Sequence, residues 1–177
     1  MSHFPLKLNR RTFIAAGAVG AGALVLAGWF RRSPPPNAGI APHLNADRRA
    51  ILRAVTPVML AGAFPPEPAA RAAALDETLA ALDTAIGGLP AAAQVELAQL
   101  FALLSLPPVR LALVRIDVPW SEASTEQVRA CLDRFRESPL MLLRAAHDAL
   151  HQLTFAAWYG NPRSWSAIGY PGPPPLG

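Results

Sequence analysis

Apolar residues recur at steps of three and four along most of this 177-residue chain, and this spacing constrains the fold more than any other feature. Between Leu44 and Tyr159, Val, Ile and Thr never form an alternating run of useful length, so the pattern indicates amphipathic helices rather than strands. The length suits one domain with an appendage. We therefore predict an all-α domain, an irregular bundle of about five to six helices.

Capping residues, prolines and glycines place the helix ends. Asn45 is the predicted N-cap of the first helix, and Pro57 is predicted to kink or split it. Ser124 and Gln127 have the spacing of a capping box. The later helices are predicted from Glu67 to Ile86 before Gly87-Gly88, from Pro90 to Pro107-Pro108, from Ser124 to about Glu137, and from Pro139 to about Trp158, the longest.

The sequence does not determine the secondary structure of one short segment. Val109 to Val118 is apolar, but it is too short for periodicity to separate a helix from a strand. Both conformations stay open for it at the level of sequence.

The N-terminus has the order of an export signal, a charged region followed by an apolar run. Asn9-Arg10-Arg11-Thr12-Phe13-Ile14 resembles the twin-arginine motif, in which a polar residue, two arginines, any residue, Phe and an aliphatic residue follow one another. Gly17, Gly20 and Gly22 lower the hydrophobicity of the run that follows, as is typical of this export route. We expect residues 1–30 to be a twin-arginine signal with Arg10, Arg11 and Phe13 as its recognition residues, and the protein to be periplasmic.

The sequence leaves open whether this signal is cleaved or retained. Val25-Leu26-Ala27 offers a small-x-small cleavage site. Residues 13–30, in contrast, would be about 27 Å long as a helix, which is marginally enough to span a bilayer as an inner-membrane anchor. Residues 31–43 contain Pro34-Pro35-Pro36 and are predicted to be a stiff spacer, and residues 44–177 are predicted to be the helical domain.

The basic charge does not predict a nucleic-acid partner. The chain has 16 Lys and Arg against 12 Asp and Glu, a net charge of +4. Without Lys7, Arg10 and Arg11 the basic count falls from 16 to 13, so the net charge falls to +1. No basic stripe alternating with aromatic residues remains, and we expect no nucleic acid among the partners.

Cys131 is the single cysteine of the chain, and it limits the redox chemistry available. An intramolecular disulfide, a Cys-x-x-Cys-His haem attachment and a cysteine-ligated iron–sulfur cluster all need more than one cysteine. We expect Cys131 to be a small buried residue of a helix.

His147 and His151 form the one pattern that suggests an enzyme. Histidines at i and i+4 on a helix can share a metal, and Asp148 occupies the position of a zincin's general base. No acidic residue follows Asp148, so a downstream carboxylate ligand is missing. On a helix His147 also lines up with Leu140, Leu143 and Leu150, which predicts a histidine on a core face. An exported metal-dependent hydrolase stays an alternative, but we expect no catalytic and no metal-binding residue.

The C-terminal segment concentrates aromatic residues in a stretch that cannot be regular helix. Four of the thirteen aromatic residues, Trp158, Tyr159, Trp165 and Tyr170, lie within thirteen positions, among glycines and prolines. Their rings either fold back on the bundle or meet a partner, and aromatic residues are favoured at protein interfaces. We predict these four as partner-binding candidates on a docking tail.

The same segment resembles the end of a known family. The matching run is Tyr159-Gly160, Asn161-Pro162, Trp165 and Ile168-Gly169-Tyr170-Pro171-Gly172-Pro173. It is similar to the gluconate 2-dehydrogenase subunit 3 family, the small twin-arginine-exported partners of flavin-dependent dehydrogenases of the glucose–methanol–choline type. The resemblance extends over residues 44–174 and is sharp at the C-terminal motif and the signal.

The resemblance implies a non-catalytic small subunit that carries a folded flavoprotein through twin-arginine export and then stabilises it. The partners implied are the flavin-dependent large subunit and the twin-arginine translocase, with a c-type cytochrome left open as a third subunit. FAD is expected in the large subunit, and no cofactor is expected in this chain. A membrane-tethered structural protein without a flavoprotein partner remains the third alternative.

Overall fold

All the regular secondary structure is helical in the residues that a computed structural model describes, 43–165 and 168–172. This confirms the all-α prediction. The six helices are α1 (Ala46–Met59), α2 (Pro68–Gly87), α3 (Ala91–Ser105), α4 (Pro107–Val109), α5 (Thr125–Arg136) and α6 (Met141–Tyr159).

Helix α1 begins where the sequence predicts. The side chain of Asn45 accepts a hydrogen bond of 2.9 Å from the backbone N–H of Arg48 and so caps the first turn. Pro57 lies inside α1 and the helix continues to Met59, so of the two predicted effects, a kink or a split, the split does not occur. Pro57 has no N–H to donate to the carbonyl of Arg53, four residues earlier, but the following turn still forms, and the N–H of Leu60 donates to the carbonyl of Thr56 over 3.0 Å.

Helix α2 lies antiparallel to α1. The backbone N–H of Leu44, just before α1, donates to Asp83 near the end of α2, and Arg53 forms an ion pair with Asp76, about two turns earlier in α2. One residue number rises while the other falls, as antiparallel packing requires. With 20 residues, α2 and not the last helix is the longest described.

The C-terminal end of α2 lies close to the residue that precedes α1. A Cβ atom on Gly87 would lie 2.6 Å from Nε2 of the His43 side chain, so a larger residue there would require that side chain to move. The predicted stop at Gly87-Gly88 is confirmed, because the helix ends at Gly87.

The segment after α3 is a tight helical turn. Helix α4 passes directly into a π-helical turn, Arg110–Val114, which ends at Arg115 in the left-handed conformation with φ 56°. The indole N–H of Trp120 donates to the carbonyl of Leu104 over 2.9 Å and ties the following loop to α3. The apolar piece that the sequence left open is therefore helical in its first half.

Helix α5 opens with the predicted capping box, which is confirmed. Ser124 Oγ accepts from the N–H of Gln127, and Gln127 Oε1 accepts from the N–H of Ser124. Helix α6 begins at Met141, two residues later than predicted, and ends at Tyr159.

Two apolar clusters stabilise the bundle. The main one is built from every helix except α4 and includes the fully buried side chains of Ile51, Leu82, Phe101 and Phe135. The second is small and joins Leu60, Ala74 and Trp158 at the C-terminal end of α6.

Within residues 43–165 and 168–172, no single helix combines the length and the apolar composition needed to cross a bilayer. Helix α3 reaches them only together with residues 107–114, and the two are bent by 75°. The predicted anchor, residues 13–30, lies outside the described residues.

Candidate functional site

The aromatic candidates lie at the C-terminal end of α6 and in the segment that follows it. Gly160 ends the helix, and a Cβ atom there would lie 2.8 Å from the carbonyl oxygen of Ala156. Pro162 then begins a 3-10 turn, Pro162–Ser164, whose first free N–H, that of Arg163, donates to the side chain of Asn161. Glycine and proline thus turn the chain back toward the bundle.

An ion pair with two hydrogen bonds fixes the turned segment to α2. Arg163 Nε donates to Glu77 Oε2 over 2.9 Å, and Arg163 Nη2 donates to Glu77 Oε1 over 2.7 Å. This fork geometry sets both distance and orientation. The hydroxyl of the buried Ser164 donates to the carbonyl of Asn161 and stiffens the turn from within.

The rings after the turn are held by the backbone. Trp165 Nε1 donates to the carbonyl of Tyr159 over 2.8 Å, and the N–H of Tyr170 donates to the carbonyl of Trp165 over 2.9 Å. The rings of Trp165 and Tyr170 meet edge to face with centroids 5.4 Å apart. Gly172 has φ +101°, and a Cβ on it would lie only 3.1 Å from the Trp165 ring.

These contacts leave an exposed apolar surface, which we call the aromatic platform: Tyr159, Trp165, Ile168 and Tyr170. Tyr159 is 38%, Ile168 56% and Tyr170 45% exposed. Trp165, whose ring contacts that of Tyr170, is half-buried. The platform offers rings and a hydroxyl-bearing edge in a fixed arrangement, which is the chemistry of a protein-binding surface.

The fourth aromatic candidate, Trp158, is placed differently. It is 5% exposed and packs against Leu60 and Ala74, with its ring centroid 4.7 Å from that of Phe64. Trp158 follows the buried Thr154 by four residues and so lies on the core side of α6, whereas Tyr159 lies about 100° further round the helix. Its side chain belongs to the small apolar cluster and is not part of the exposed surface.

A row of rings along α6 leads to the platform, and the sequence reasoning missed it. We call it the aromatic stripe: His147, His151, Phe155 and Tyr159. Successive ring centroids are 6.0, 4.0 and 5.7 Å apart. The signal was present, because aromatic rings recur at every fourth residue, which places them on one face of a helix.

His147 and His151, the two histidines of the predicted metal pattern, are members of this stripe. The His151 ring stacks on Phe155, and Nδ1 of His147 lies 3.2 Å from the Asp148 carboxylate next to it. Among the described residues, no group of three or more His, Cys, Asp or Glu is arranged to hold a metal ion. The predicted core face is only partly correct: Leu150 is buried, but Leu140 is 57% exposed because it precedes α6.

Cys131 is buried on α5, as expected. Burial raises the pKa of its thiol to about 11, although Arg134 acts in the opposite direction. The sulfur is therefore protonated at neutral pH and is not a nucleophile there.

The export candidates Arg10, Arg11 and Phe13 lie outside the described residues. Their role rests on the sequence motif.

Comparison with known proteins identifies no relative: no family model matches the chain, and neither a curated protein nor a solved structure gives a significant match.

Proposed function

We propose that the protein is the non-catalytic small subunit of a periplasmic FAD-dependent dehydrogenase of the glucose–methanol–choline type. It binds the folded catalytic subunit, carries it through twin-arginine export and stays bound as a stabilising subunit. FAD belongs to the large subunit, whose substrate is a sugar or an alcohol.

The observation that carries this proposal is the aromatic platform. Tyr159 and Tyr170 remain exposed although the backbone around them is tied down by the Trp165 indole and the Arg163–Glu77 pair. A surface that is already ordered loses little conformational entropy on binding, which favours a stable complex. The residues that form it are also those that carry the family resemblance.

The export motif supplies the second support. The twin-arginine route transports folded proteins, so one signal on this chain serves both subunits if they associate in the cytoplasm. The pair Arg10-Arg11 stands in the motif, whereas Arg31-Arg32 follows the apolar run and offers a matched control.

The test compares two double substitutions in cells that produce both subunits. Arg10→Lys with Arg11→Lys should leave both subunits in the cytoplasm, whereas Arg31→Lys with Arg32→Lys should leave export unchanged. Export of the large subunit in the motif variant would refute the carrier role.

A second comparison separates docking from export. Tyr159→Ala with Tyr170→Ala should let the small subunit reach the periplasm alone, because the signal is intact but the platform is lost. Tyr159→Phe with Tyr170→Phe keeps the rings and should retain most of the partner. Equal recovery of the flavoprotein with both variants would place the interface elsewhere.

A further inference from the structure

The exposed apolar residues outside the platform form a second surface. Eight large apolar side chains are exposed in the described residues, and three of them, Tyr159, Ile168 and Tyr170, belong to the platform. The other five lie in two short segments: Leu111 and Leu113 on the π-helical turn, and Leu140, Met141 and Leu142 at the start of α6. Met141, at 75%, is the most exposed of the eight.

The two segments lie at the same end of the bundle, where α5 ends. A guanidinium nitrogen of Arg134, in the last turn of α5, donates to the carbonyl of Val114, which ends the π-helical turn. Leu140 follows Arg134 by six residues, which span at most about 20 Å even when fully extended. A guanidinium nitrogen of Arg144 donates to the carbonyl of Ser138 and holds the second segment against the α5–α6 turn. We call this surface the leucine–arginine end.

Its charge is positive. Residues 110–117 and 133–144 contain five arginines, Arg110, Arg115, Arg134, Arg136 and Arg144, against three acids, Asp117, Asp133 and Glu137, a net charge of +2. Both Asp133 and Glu137 pair with Arg136. In the described part of the chain, no carboxylate lies within ion-pair distance of the other four guanidinium groups.

Arg115 and Arg144 are exposed, whereas the Nε atoms of Arg110 and Arg134 are buried and out of reach of a ligand. Arginine presents a fork of donors that fits phosphate oxygens, so the two exposed guanidinium groups suit an anionic phosphate ligand. Leucine and methionine side chains surrounded by arginine are the composition of surfaces that lie in the headgroup region of a bilayer.

From this geometry we infer that the leucine–arginine end binds the surface of an anionic phospholipid membrane, with its five exposed apolar side chains inserted among the headgroups and its arginines on the lipid phosphates. The contact does not depend on the flavoprotein partner. It is also distinct from the predicted N-terminal anchor, since it is made by the folded domain.

The arrangement orients the protein on the membrane. Leu142 and Tyr159 lie near opposite ends of α6, whose 19 residues are about 28 Å long. With the leucine–arginine end on the lipid, the aromatic platform faces away from the membrane and is accessible to a folded partner.

The test places a fluorescent probe at chosen positions of the full chain. Cys131 is buried, so a cysteine introduced by Leu113→Cys or Leu142→Cys is the accessible thiol for a polarity-sensitive dye. Ala61→Cys labels the exposed turn that follows α1, next to Leu60 and therefore at the end of the bundle where α6 ends, and serves as the control. The vesicles consist of phosphatidylcholine with or without phosphatidylglycerol.

We expect the emission of the probes at positions 113 and 142 to shift to the blue with phosphatidylglycerol vesicles, and the probe at position 61 to stay unchanged. Replacing Arg115 and Arg144 by Gln should lower vesicle partitioning by about fivefold per arginine, whereas Arg53→Gln with Arg71→Gln should lower it much less. The inference is overturned if the three probes respond alike. In particular, no shift at any of them although the protein binds the vesicles would mean that the N-terminal apolar run alone makes the contact. It is also overturned if the probes at 113 and 142 respond only to an added protein.

Discussion

Arg163 and Glu77, 86 residues apart in the chain, are joined by two hydrogen bonds of 2.9 and 2.7 Å. Asn161 adds a longer contact to the same carboxylate. The pair fixes the C-terminal segment to α2 and thereby sets the position of the aromatic platform. Both side chains are more than 40% exposed, so solvent screens the interaction and its role is to position the segment rather than to stabilise the fold.

Glu77→Gln should therefore loosen the platform without unfolding the bundle. We expect the free energy of unfolding to fall by less than about 1 kcal/mol, while hydrogen exchange at the N–H groups of Trp165 and Tyr170 becomes faster. The exposed pair Arg53–Asp76 offers the control, since Asp76→Asn should leave exchange in the C-terminal segment unchanged. Unchanged exchange in Glu77→Gln would show that the ion pair does not position the platform.

Substitution of the two aromatic residues should separate a supporting role from a surface role. Trp158→Ala removes a ring that is 5% exposed, and we expect it to cost about 3 to 5 kcal/mol of unfolding free energy. Tyr170→Ala removes an exposed ring and should cost about 0.5 kcal/mol or less. Urea titration followed by circular dichroism measures both, and Trp158→Phe should recover part of the loss. Similar costs for Trp158→Ala and Tyr170→Ala would contradict the burial of Trp158.

Cys131 should be inert in the folded protein. Its thiol is buried and its pKa is raised to about 11, so little thiolate forms at pH 8 and the reagent has no access. We expect one equivalent of thiol to react with a chromogenic disulfide in denaturant and almost none in native buffer. Rapid reaction of the native protein would show that α5 opens readily or packs differently.

The cap of α2 should make stability depend on pH. The backbone N–H groups of Ala70 and Ala69 donate to the Glu67 carboxylate and hold its pKa below the ordinary value of 4.5. A lowered folded-state pKa stabilises the fold above the unfolded pKa, and that contribution disappears as the pH falls through the folded pKa. Glu67→Ala should thus lower the Tm at neutral pH, with a difference from the wild type that shrinks in acid. A difference that is constant with pH would mean that the carboxylate charge does not contribute.

Local signals in the sequence were enough to predict the helices. Asn45 and the capping box of Ser124 and Gln127 each act on the backbone within a few residues, so their effect follows from short-range hydrogen bonding. The effect of Pro57 was less predictable, because a proline inside a helix removes its own bond to the preceding turn and can either kink or end the helix, and the local sequence does not decide between the two.

The site needed contacts that no local pattern contains. The pairing of Arg163 with Glu77 and the packing of Leu60 under Trp158 depend on how α1, α2 and α6 meet in space. The burial of Trp158 could nevertheless be predicted from the sequence, because Leu150, Thr154 and Trp158 follow one another at four-residue steps on the core face. The same spacing would have revealed the aromatic stripe.

Purification from the periplasm tests most directly whether this chain holds and exports a flavoprotein, as we propose. The tagged protein should elute with a larger companion whose absorption spectrum shows bound FAD, and Tyr159→Ala with Tyr170→Ala should elute without it. Recovery of the wild-type protein alone, with no flavin in the eluate, would contradict the account.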